Sequence, residues 1–172
     1  MIFVDTSVWV EALRSGESET AKHLVTLLDS GEAALSAPVR IEILSGASNR
    51  DNAQLRRVLS ALPLFFPTEE TWKRIDGWLE QAREAGERFG FADMLIAAIA
   101  ADQDAKVWSL DADFARMARI GLVEIHRAEA SGAQERGASM SRGGADSAEP
   151  SPSEPSADKP DLQITHVDAD RE

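Results

Sequence analysis

Met1-Ile2-Phe3-Val4-Asp5-Thr6-Ser7 opens the chain, and its order of residue types predicts a strand, then a carboxylate, then a helix. Ile2, Phe3 and Val4 are apolar without alternation, and two of them are β-branched, as in a short strand buried on both faces of a parallel sheet. Thr6 and Ser7 are helix-capping types, and Val8, Trp9 and Glu11 to Leu13 continue as a helix that starts at one of them. In open α/β sheets ligands gather beyond the carboxyl ends of the strands, so Asp5 stands where chemistry is done. Simple helix capping accounts equally well for a lone aspartate in that place. The rest of the chain has to separate the two readings.

Moving outward, Thr20 to Asp29 has Leu24, Leu27 and Leu28 on one helical face, and Gly31 ends it. Ala33 to Ser36 suits a second strand, and Pro38 sits well in the first turn of the helix that follows, which carries Val39, Ile41, Glu42, Ile43 and Leu44. Glu42 lies between two isoleucines; helical neighbours differ by about 100° in direction, so facing water is its plain explanation. Asp51 to Leu62 reads as a further helix, Leu64-Phe65-Phe66 as a short strand or packed loop, and Thr68 onward as a long helix striped by Trp72, Ile75, Trp78 and Leu79. Phe91 to Ala101 is apolar almost all round, which requires burial between layers, and Asp93 interrupts it. The helix dipole favours a carboxylate in a first turn by about 0.3 to 1 kcal/mol. A buried unpaired carboxylate nevertheless costs several kcal/mol, and no lysine or arginine lies in the next two turns to pair with Asp93. Ala105 to Leu110 reads as another strand with Asp111-Ala112-Asp113-Phe114 at its carboxyl end, followed by a short helix to Arg119 and a last strand over Leu122 to Ile125. Strands alternating with helices give an α/β fold built on a mostly parallel sheet.

Composition sets the outer limits. The 172 residues carry 30 acidic and 18 basic side chains, a formal charge of −12. Residues 131–172 are rich in Gly, Ser, Ala and Pro, hold four of the seven prolines and contribute −5. That segment is expected to be a disordered acidic tail, leaving residues 1–130 as the globular domain with −7. A basic nucleic-acid-binding surface of the usual kind is excluded. There is no cysteine, hence no disulfide, thiolate metal site or cysteine nucleophile. No run reaches membrane-spanning length and no leader pattern precedes Asp5, so a soluble, cytoplasmic protein is expected, with no membrane partner. His23, His126 and His166 are scattered and suggest no catalytic grouping.

Asp5, Glu42, Asp93 and Asp111 each fall at a strand's carboxyl end or in the opening turns of a helix, and in a parallel sheet those ends face one way. If they converge, a cation has to hold them, because two unit charges about 4 Å apart repel by roughly 4 kcal/mol at an effective dielectric of 20. Oxygen donors without histidine or cysteine select magnesium or manganese over zinc or copper. A hard divalent ion at an acidic site suits hydrolysis of phosphodiesters. An aspartyl-phosphate enzyme would want a second aspartate two residues after Asp5, and Ser7 stands there.

Taken together, Ile2-Phe3-Val4-Asp5-Thr6-Ser7, the helical Glu42, Phe91-Ala92-Asp93 followed by Leu95-Ile96-Ala97-Ala98, and Ser109-Leu110-Asp111-Ala112-Asp113-Phe114 resemble the PIN-domain nucleases, and more narrowly the VapC-type toxins of bacterial toxin-antitoxin pairs. The likeness covers about residues 1–127. It implies a three-layer α/β/α sandwich and a ribonuclease dependent on Mg2+ or Mn2+ that acts on RNA as a homodimer and is neutralised by a small antitoxin. Carried over by position, Asp5, Glu42, Asp93 and Asp111 are the acidic catalytic set, with Asp5, Asp93 and Asp111 as metal ligands. Asp113 would assist through water, and Thr6 or Ser7 would orient Asp5 or the metal-bound water. Ser109 departs from the threonine of many relatives but keeps the hydroxyl. A nuclease of the same fold that serves RNA processing or DNA cleavage, and a non-catalytic partner-binding module, are the competing readings.

Overall fold

A computed structural model describes residues 1–128, and the acidic segment from 131 lies outside the described residues. Four strands, β1 (Ile2–Val4), β2 (Ala33–Ser36), β3 (Leu64–Phe65) and β4 (Lys106–Trp108), form one sheet in the order β3-β2-β1-β4. Every pairing is parallel: Ile2 lies opposite Ala33 and Lys106, Val4 opposite Trp108, and Leu35 opposite Leu64. All three residues of β1 and all four of β2 are buried, as an uninterrupted apolar run between two helical layers requires.

Seven helices connect and cover the strands: α1 (Thr6–Arg14), α2 (Glu19–Asp29), α3 (Ala37–Gly46), α4 (Asn52–Ser60), α5 (Glu69–Glu84), α6 (Phe91–Asp102) and α7 (Ala112–Arg119). The sequence steps outward from β1 to β2 to β3, then returns through α5 and α6 to place β4 on the other side of β1. Right-handed crossovers in opposite directions put their helices on opposite faces of a sheet, which gives the α/β/α sandwich expected from the alternation. The strand order reverses between β1 and β4, and the ends of these two strands carry Asp5 and Asp111. Such a reversal leaves the two following loops pointing apart and opens a crevice between them.

Packing corrects four sequence expectations. The α5 stripe runs through Thr71, Ile75, Trp78 and Ala82, so Leu79 is 56 % exposed and Trp72 45 % exposed; Trp72 stacks on the exposed Phe91 at 6.1 Å. Thr68 caps this helix reciprocally with Thr71. Helix α1 begins at Thr6 with Asp5 as its cap, rather than being capped by Thr6 or Ser7. Leu122 to Ile125 does not form a strand: after the left-handed turn at Gly121, Leu122 and Val123 are buried side by side, and ladder pairing is reduced to a bridge between Ile125 and Val107. Finally, the fold brings two of the scattered histidines together. His23 and His126 stack with Nε2 atoms 2.8 Å apart, edge-on to Trp108.

Gly77 lies inside α5 with nothing within 4 Å of where a Cβ would stand and without a positive φ. Gly77→Ala is expected to raise stability in urea unfolding by about 0.5–1 kcal/mol, because it removes backbone freedom from the unfolded chain only. A destabilised variant would show that the α5 surface is covered by something the isolated chain does not reveal.

Candidate active site

Asp5 leaves β1 in an extended conformation, its own N–H donating to the Trp108 carbonyl of β4 at 2.9 Å. Its side chain then turns back over the start of α1. Oδ2 accepts from the Ser7 N–H at 3.2 Å, the Ser7 hydroxyl at 2.6 Å and the Ser109 hydroxyl at 2.8 Å. With the residue 5 % exposed, three donors on one oxygen fix the carboxylate tightly. Oδ1 takes no donor from the described residues. Capping and a functional role are therefore compatible: one oxygen caps the helix and the other stays available.

The end of β4 repeats the device. Ser109 Oγ accepts from the Asp111 N–H at 2.9 Å, and Asp111 caps α7 by accepting the Asp113 N–H on Oδ1 at 2.9 Å. Ser7 Oγ accepts the Leu110 N–H at 3.0 Å and lies 3.2 Å from Ser109 Oγ. Two serines on adjacent strand ends thus lock Asp5 and the Asp111 turn into one unit. Asp113 faces Arg116, which donates to it at 2.6 Å and also pairs with Glu87, its guanidinium lying 5.0 Å from the Phe89 ring centre. Arg116 thereby ties α7 to the loop that leads into α6, and holds the Glu87 carboxyl below the usual carboxylate range.

Glu42, half-buried on α3, accepts a short hydrogen bond on Oε2 from the Thr6 hydroxyl. Of the two hydroxyl residues expected to orient Asp5 or a metal-bound water, Ser7 holds Asp5 and Thr6 holds Glu42. Asp93 enters from α6, half-buried and without a hydrogen-bond donor among the described residues. Its carboxyl is pushed up to about 6, first by burial and then by the charges of Asp111, Asp5, Asp113 and Glu42. The fold thus gathers all five acidic residues singled out in the sequence into one electrostatic neighbourhood around Asp93. They remain an open set: among the described residues no three acidic or histidine side chains already close on a common point as a finished coordination shell. Like charges at such a site repel one another. The donor chemistry fits a hard divalent ion, since the group offers carboxylate oxygens and includes neither histidine nor cysteine.

Among the arginines, Arg14 and Arg88 are exposed, while Arg40 buries its Nε on α3 without a hydrogen-bond partner among the described residues. The serine bridge was not legible in the sequence beyond the observation that Ser109 is a hydroxyl residue, because its partner Asp5 lies 104 positions away.

Residues 2–120 match the PIN domain family. Over 125 residues the chain is 37% identical to VapC ribonuclease Mb1587 of Mycobacterium bovis and to ribonuclease VapC11 of Mycobacterium tuberculosis, covering 70% of this chain and 93% of each relative. Among solved structures, DNA-bound VapBC from Salmonella typhimurium superposes with a TM-score of 0.61 at 15% identity, covering 73% of this chain and 96% of that one. VapBC2 from Rickettsia felis gives 0.58 at 19% identity over 73% and 98%. At those identities the structures speak for the fold, and it is the sequence relatives that place the protein more narrowly. The chain belongs to the PIN-domain family and stands within it among the VapC-type ribonucleases.

Proposed function

We propose that the protein is a divalent-metal-dependent endoribonuclease, the toxin of a toxin-antitoxin pair, with Asp5, Glu42, Asp93 and Asp111 as its working carboxylates. Asp93, half-buried, without a hydrogen-bond donor among the described residues, and raised first by burial and then by four neighbouring carboxylates, carries the reading. An acidic cluster repels RNA, so this arrangement makes sense for a nuclease only with a cation between the carboxylates and the phosphate.

The open Oδ1 of Asp5, the carboxylate of Asp93 and the free Oδ2 of Asp111 would hold Mg2+ or Mn2+. Bound there, the ion neutralises phosphate oxygens and makes water a stronger acid. The chain's own groups do the rest. Ser7 and Ser109 fix the rotamer of Asp5, and Ser109 also fixes the turn that presents Asp111. Thr6 occupies one oxygen of Glu42, leaving the other to orient a water or take its proton. Asp113, held by Arg116 at 2.6 Å, is restrained at the rim, from which it can act through solvent. Attack in line on the phosphodiester requires no covalent intermediate on the protein.

Curated relatives bear the name ribonuclease, and many of the similar structures are toxin-antitoxin complexes. An antitoxin bound to this chain and a homodimer of it follow as parts of the same reading. The 131–172 segment is taken as a tail outside the nuclease domain.

Sequencing RNA ends after brief induction should reveal new cleavage sites with the wild-type protein and none with Asp5→Asn or Asp93→Asn, each of which is expected to remain folded. Equal cutting of single-stranded DNA by the purified protein, or undiminished cutting by either variant, would contradict the assignment. Ser109→Ala loses only the groups that orient the carboxylates, so kcat/KM for RNA in Mn2+ should fall about 10- to 100-fold. The metal-free protein offers a separate check. A carboxyl whose folded pKa is raised stabilises the fold while protonated, and that contribution is lost as pH rises through about 6. In EDTA at pH 7.5, Asp93→Asn should therefore melt above the wild type, and the gap should close toward pH 4. A variant that melts lower at pH 7.5 would show that Asp93 is not strained by its neighbours.

A further inference from the structure

Asp93 is the third residue of α6, and the chain reaches it through Gly90, the helix cap. Gly90 has an extended conformation, with φ −64° and ψ 151°, which any residue can adopt, and it offers no capping side chain. No left-handed backbone requires a glycine here, and its preference over alanine at a helix cap is the ordinary one. Space gives a further reason. A Cβ on Gly90 would stand 2.7 Å from Asp93 Oδ2 and 3.7 Å from its Cγ, and it would meet nothing else within 4 Å. At Gly46, Gly77 and the three left-handed glycines Gly31, Gly86 and Gly121, by contrast, a Cβ would meet nothing within 4 Å. The Asp93 carboxylate is folded back over the first turn of its own helix, into the volume that the missing methyl leaves.

We infer that Gly90 is a positioning residue for the Asp93 carboxylate, a conclusion that rests on the proposed role of Asp93 in holding the ion. The atom in the way is the free end of a short side chain. An alanine at 90 is therefore accommodated by rotating Asp93 rather than by moving backbone. Ordinary contact begins near 3.4 Å, so the oxygen has to retreat by roughly 0.7 Å, beyond the tolerance of about 0.5 Å within which a preorganised site works. The effect on folding is small, because the entropy gained by replacing glycine opposes the poorer capping of alanine. A position that looks interchangeable by backbone conformation is thus tied to the site by one oxygen.

The test uses the full chain and Mn2+ alone as the probe, comparing wild type, Gly90→Ala, Gly90→Ser and Asp93→Asn by titration calorimetry and thermal melting. Gly90→Ser supplies a good capping hydroxyl but keeps the intruding Cβ. Both Gly90 variants should bind Mn2+ about 10- to 100-fold more weakly than wild type, as loss of a ligand's support typically does, while melting close to it. Wild-type affinity in Gly90→Ala alongside weak binding by Asp93→Asn would overturn the positioning role and leave Asp93 as a ligand. Recovery of affinity in Gly90→Ser would assign the effect to capping and overturn it as well. So would melting far below wild type in both variants. Should Asp93→Asn itself keep wild-type affinity, the metal-holding role of Asp93 falls first, and this inference falls with it.

Discussion

Carboxylates brought together at one edge of a sheet repel, and much of the chemistry of this molecule follows from how that repulsion is held in check. Protein hydrogen bonds answer part of it: Asp5 takes three donors on one oxygen, Asp111 caps a helix, Glu42 is engaged by Thr6 and Asp113 by Arg116. Asp93 receives no such help from the described residues, and burial, then the neighbouring charges, raises its carboxyl. Each satisfied carboxylate commits one oxygen to the fold and leaves the other without a donor among the described residues. In the proposed function, stability and chemistry are thereby divided between the two oxygens of the same group.

The scaffold explains why these residues meet at all. Parallel strands send every carboxyl end to the same edge, and the reversal of strand order between β1 and β4 parts the loops that follow Asp5 and Asp111. Glu42 reaches the same place because α3 begins directly at the end of β2, and Asp93 because α6 is sunk between layers with Met94 to Ala100 buried. An apolar helix of that kind can turn a carboxylate only toward the gap at its end. Ser7 and Ser109 then couple adjacent strand ends, so β1 and β4 present their acidic residues with a common register.

The legibility of this design varied with the range over which its causes act. Asp5 and Asp111 were readable because strand, carboxylate and capping residues are neighbours in sequence. Asp93 was readable because a charge in an apolar helix demands a reason, while Glu42 stood out only by its place after a strand. What escaped depends on three-dimensional neighbours. The Ser109 bridge to Asp5, the stacked His23 and His126, and the room left by Gly90 are contacts between distant residues or a matter of side-chain rotamer. Leu79 and Leu122 to Ile125 misled for a different reason. Apolar character marks a segment for burial, but a half-turn of helix or a left-handed glycine decides which of its residues is buried.

In the proposed function the acidic residues around Asp93 share one hard divalent ion. Diffraction from manganese-soaked crystals of the full chain, recorded on both sides of the manganese absorption edge, tests it most directly. A shared ion gives an anomalous peak within bonding distance, about 2.0–2.3 Å, of oxygens from Asp5 and Asp93, with Asp111 drawn toward it. A peak held by other residues, with Asp5 and Asp93 bonded only to the protein, would contradict it.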